Sequence, residues 1–103
     1  LEQRRLLDAA GRELRELISD DMQNNRGAEA LAKLTAAIEK PKSDIHKQMA
    51  MFFKGMVTMD VSRDAEAAVA LLEGAKAIAP KSPIAEQIDQ VLPQIKAQAG
   101  GGK

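Results

Sequence analysis

Apolar residues in this chain recur at steps of three and four, and chain breakers cut that recurrence into five runs. Leu6, Leu7, Ala10, Leu14, Leu17 and Ile18 mark a stripe over residues 2–22, interrupted by Asn24, Asn25 and Gly27. Leu31, Leu34, Ala37 and Ile38 mark a second over 28–39, stopped before Pro41. Ile45, Met49, Phe52, Phe53, Met56 and Met59 form a wide third over 44–59, the most apolar part of the chain. Ala68, Leu71, Leu72, Ala75 and Ile78 form a fourth over 65–78, closed by Pro80, and Ile84, Ile88, Val91, Leu92 and Ile95 form a fifth that opens at Pro83. Each set lies on one side of a helix of 3.6 residues per turn. No alternating β-branched run or two-residue hairpin signal competes with it. The fold class that follows is all-α. Connections of roughly 3–6 residues imply antiparallel neighbours.

The helix boundaries carry their own signals. Ser43 or Asp44 can cap the third helix, the turn 60–64 holds two further cap candidates before the fourth, and Ser82 can cap the fifth, with Pro83 at the first helical position. Pro93 falls inside the fifth stripe, where loss of an amide donor predicts a kink or an end. Glu29 and Lys33 are spaced for an i,i+4 ion pair. The predicted domain covers residues 1–96, and residues 97–103, with three consecutive glycines, read as a flexible tail.

Composition narrows the function. Without cysteine there is neither a disulfide framework nor a thiolate metal site. Fifteen basic and fifteen acidic residues give zero net charge, without the basic excess of a nucleic-acid binder, and two phenylalanines as the only aromatics offer little for base stacking. No apolar run approaches the length of a membrane span. The chain begins with Leu1 rather than methionine, which suggests a processed product or a piece of a longer protein, and absent cysteine favours the cytoplasm over the periplasm. The single histidine, His46, has no nucleophile or acid paired with it in a recognisable motif, and no ligand set has zinc spacing. No catalytic residue, metal site or cofactor is predicted. The glycines follow no strand and form no phosphate-binding loop. Asp20 and Asp21 read as a helix end or a solvated turn.

Two features invite a binding role. Met49, Phe52, Phe53, Met56 and Met59 are either core or an adaptable partner surface, because flexible thioether side chains suit varied apolar partners. Lys40, Lys42, Lys47 and Lys54, with His46 among them, form a local basic zone that reads as a solvated face or as a docking zone for an acidic segment.

The segment FFKGMVTMDVSRDAEAAVALLEGAKAIAPKSP resembles a tetratricopeptide repeat (TPR), with the best match over residues 48–96. Ala68, Leu72, Ala75 and Pro80 reproduce the family's second-helix spacing, and Gly55 fits the small position of its first helix if the following turn is one residue longer than usual. Residues 28–41 look like the second helix of a degenerate preceding repeat whose first helix is 2–22, and PKSPIAEQIDQVLPQI looks like a solvating cap helix. Met51 stands where the family places a large aromatic, and Lys54 and Thr58 occupy positions that usually pack inside. In family register the Met/Phe stripe falls toward the concave groove, while the groove Lys and Asn residues of the carboxylate-clamp subclass are missing. The resemblance implies two helix pairs plus a cap and a non-catalytic module that binds a protein or peptide through the Met/Phe surface. The alternative is a small structural bundle that forms a homodimer through the same stripe.

Overall fold

The computed structural model describes residues 2–101, with the side chains of 2–4, 6 and 99–101 outside the description. Five helices follow one another: α1 (Glu2–Gln23), α2 (Gly27–Glu39), α3 (Asp44–Val61), α4 (Ala65–Ile78) and α5 (Pro83–Gly101). The described residues contain no strand. The caps follow local chemistry. Ser43 accepts from the His46 amide, Asp64 from the Ala67 amide and Ser82 from the Ala85 amide, each satisfying an orphan donor of a first turn. Asn25 and Arg63 take left-handed backbone after α1 and α3, where a chain commonly leaves a helix.

Each helix packs on the next, and α3 also touches α1 and α5. Contacts in reverse order make α3 and α4, and α4 and α5, antiparallel. Gln48 near the start of α3 reaches Ala75 and Ala79 at the end of α4, and Lys76 and Glu73 of α4 pair with Asp89 and Lys96 of α5 in reverse order. The result is two layers, α1–α3–α5 and α2–α4, with each helix of the second layer seated between two of the first. The 20 Å shortest extent is about two helix diameters.

The buried stripes are those that the spacing marks. Leu7, Ala10, Leu14 and Ile18 of α1, Ala30 and Leu34 of α2, Ala68, Leu72 and Ala75 of α4, and Ile84, Ile88, Leu92 and Ile95 of α5 are all buried in one cluster. Leu6 lies outside the described side chains, and Leu17 is 41% exposed. The α3–α4 seam is close because its residues are small. A Cβ on Gly55 would sit 3.0 Å from Leu72 and 3.5 Å from the Ala68 carbonyl.

Four expectations need correction. Pro93 does not end α5, which runs on to Gly101 through most of the stretch read as a tail; residues 102–103 lie outside the described range. Pro93 is exposed, so the carbonyl four residues earlier, deprived of its donor, faces the solvated side of the helix. The turn after α3 is shorter than expected, because the helix continues to Val61. Glu29 does not pair with Lys33. Glu29 instead meets Arg26, and Lys33 reaches Asp21. Asp20 and Asp21 lie in the last turn of α1, a helix end as one of the two readings expects, but Asp21 is not solvated: its side chain is 5% exposed, between α1 and α2.

Candidate functional site

Burial divides the Met/Phe stripe. Met49 is buried, Phe52, Phe53 and Met59 are half-buried, and Met56 is exposed. The buried residues of α3 are Gln48, Met49, Ala50, Gly55, Val57 and Thr58, of which Gln48 and Gly55 meet α4 while Met49 lies against Gly11 of α1. Lys54 is half-buried and Thr58 buried.

What remains of the stripe forms the floor of a groove. α1 and α5 both rest on α3, while their backbones stay apart among the described residues. Between them lies a groove of about 450 Å³, floored by Met49, Phe52 and Phe53. Leu7, Gly11 and Arg15 line it on the α1 side and Pro83, Ile84 and Gln87 on the α5 side. The two phenyl rings stand 6.1 Å apart at 53°, a tilted pair. The groove therefore has an apolar floor and mixed walls, with Asp8, Arg15 and Gln87 as their polar side chains. Arg15 folds back so that its Nε donates to the Gly11 carbonyl at 3.3 Å. A second groove, of about 550 Å³, lies between α4 and α5, but the Lys76–Asp89 and Lys96–Glu73 pairs bridge the two helices beside it.

The basic zone is partly neutralised by a residue far away in sequence. Glu13 of α1 takes Lys42 on one carboxylate oxygen and His46 on the other, both at 2.9 Å. The hydrogen bond from Lys42, then that from His46, holds the Glu13 carboxyl below the usual range. A carboxylate only accepts, so His46 Nε2 carries a proton, and Nδ1 shares a hydrogen bond of 2.9 Å with the Ser43 hydroxyl. Ser43, His46 and Glu13 thus form a chain of hydrogen bonds. The Ser43 oxygen also accepts from the His46 amide, so the arrangement is that of a helix cap that pins α1 to the α2–α3 loop. Lys40 is exposed, Lys47 and Lys54 are half-buried, and none of the three makes an ion pair among the described residues.

Two polar clusters were not anticipated. Gln48 is fully buried: its amide donates to the Ala75 and Ala79 carbonyls at 2.9 and 3.2 Å, and its oxygen accepts from the Ser82 hydroxyl at 3.0 Å. It thus ties α3 to the end of α4 and the cap of α5. Asp21 receives Lys33 at 2.7 Å and Arg26 at 3.1 Å. The Lys33 ammonium beside it lowers the Asp21 carboxyl despite burial, which alone would raise it. An acidic side chain at a helix C-terminus, against the macrodipole, was the available sequence signal that cations must lie nearby.

Among the described residues no group of three or more His, Cys, Asp or Glu side chains gathers to hold a metal, and no helix is long and apolar enough to cross a membrane. Compared with known proteins, the chain matches no protein-family model, no curated protein and no solved structure.

Proposed function

We propose that this chain is a non-catalytic, TPR-like interaction module that receives a protein segment in the groove between α1 and α5. The observation that carries the reading is the half-burial of Phe52 and Phe53 on a groove floor whose two walls stand apart. Apolar surface held open in this way gains free energy when a partner covers it. The order of helix contacts supports the TPR-like reading, as does the burial of Gly55, Ala68, Leu72 and Ala75, the residues that carry the resemblance, along the α3–α4 seam. The occupant this geometry suits has a large apolar side chain for the floor and polar groups for Arg15 and Gln87 on the walls.

An apolar dye that fluoresces on hydrophobic surfaces, combined with sedimentation, tests the reading. A monomer that binds the dye, and loses most of that binding in a helical Phe53→Ser variant, is the expected result. A wild type that neither binds the dye nor associates removes the groove from consideration. A wild-type dimer that Phe53→Ser dissociates replaces it with self-association through the same stripe.

A further inference from the structure

We propose a second binding site, separate from the α1–α5 groove, at the junction of α1 with the α2–α3 loop, which accepts one aliphatic side chain of an acidic peptide segment. A pocket of about 250 Å³ opens there, walled by Leu17, Ala37 and Pro41. Leu17 is the informative wall. It belongs to the apolar stripe of α1, yet it is 41% exposed and left out of the core cluster. Small-molecule sites run to about 300–1,000 Å³, so a space of this size suits a single large side chain of a segment lying across it.

The mouth decides the charge of that segment. Glu13, Lys40, Lys42 and His46 surround it. The single carboxylate is engaged by both Lys42 and His46, while Lys40 is exposed with no carboxylate partner among the described residues. The end of α2 and the start of α3 meet at this loop, and their partial charges, opposite in sign, offset each other. The side chains therefore set the local field, and Lys40 is the cation left to pair with an incoming carboxylate. An aliphatic residue flanked by Asp or Glu satisfies both wall and mouth, with the apolar contact supplying affinity and the charge supplying orientation.

A titration of the isotope-labelled protein with the capped peptide Glu-Asp-Leu-Asp-Glu, followed by amide chemical shifts, tests this. Shifts centred on Leu17, Ala37 and Lys40 are expected, and they weaken as salt rises. Lys40→Glu, an exposed change, weakens binding about tenfold while Lys40→Arg retains it. A peptide with serine in place of leucine also loses about tenfold. Phe52→Ala leaves the affinity unchanged, so failure here is separable from failure of the groove. Absence of shifts at millimolar peptide, shifts centred on Phe52 and Phe53, or binding indifferent to both Lys40→Glu and the serine peptide would overturn the proposal.

Discussion

Gln48 shows what a single buried amide can hold together. Its side chain makes three hydrogen bonds, to the carbonyls of Ala75 in α4 and of Ala79 just beyond it and to the hydroxyl that caps α5, with no access to water. Replacing it by leucine keeps much of the volume but leaves these groups facing an apolar side chain. The expected loss is about 2–4 kcal/mol, because each buried polar group without a partner costs about 1–3 kcal/mol. Urea unfolding followed by circular dichroism measures it. Asp21 has a different signature, written in pH. Its folded carboxyl titrates below the ordinary value, held there by Lys33 and then Arg26. The stability it adds is therefore present above the unfolded carboxyl's value and is lost as pH falls through the lower folded value. Asp21→Asn should lower the urea midpoint at pH 7, with the difference from wild type closing under strongly acidic conditions. A constant difference across pH would mean that Asp21 acts through packing instead. Neither residue was legible in the sequence as more than a polar position. The partners of Gln48 lie 27–34 positions away, and local spacing does not show which helices cross.

The helices themselves were more legible, because periodicity and caps are local. α4 has the predicted bounds, and the others differ by a few residues at their ends. The exception is α5, which passes Pro93 and runs on to Gly101 through most of the stretch read as a tail. Contacts between helices, by contrast, separate glycines that look alike in sequence. Gly55 and Gly74 both lie inside helices, where alanine is intrinsically favoured by about 1 kcal/mol. A Cβ at Gly55 would press on Leu72, which is fully buried and cannot give way, at an overpacking cost of about 1–3 kcal/mol. A Cβ at Gly74 would meet only the terminal methyl of Met51, the end of a flexible, half-buried side chain. Gly55→Ala should therefore lower stability by about 1 kcal/mol, whereas Gly74→Ala should leave it unchanged or raise it by up to about 1 kcal/mol. Thermal melts of the two variants side by side decide the matter. Destabilisation of similar size in both would show that the Met51 chain is as fixed as Leu72.

For the whole molecule, the two-layer arrangement makes the core continuous, and this bears on what can be removed. The stripe that predicted α3 as one wide apolar face was legible as apolar but not as divided between core and groove, since that division depends on α1 and α5 standing on either side of it. α5 therefore serves both core and groove: Ile84 belongs to the core cluster and lines the groove wall. Ile84, Ile88, Leu92 and Ile95 are all buried, and at about 1.5–3 kcal/mol for each such side chain α5 contributes roughly 6–12 kcal/mol. A domain of this size is stable by only about 5–15 kcal/mol in total. A chain ending at Pro80 should therefore lack a cooperative melting transition, with the seam of α4 and the phenyl rings of α3 left open to water and to aggregation. A chain ending at Lys96 retains every described buried residue of α5 and should unfold within about 0.5 kcal/mol of the full chain. Circular dichroism melts of the two truncations distinguish a helix that completes the core from one that merely covers it, since a cooperative melt in the shorter chain would assign α5 the second role.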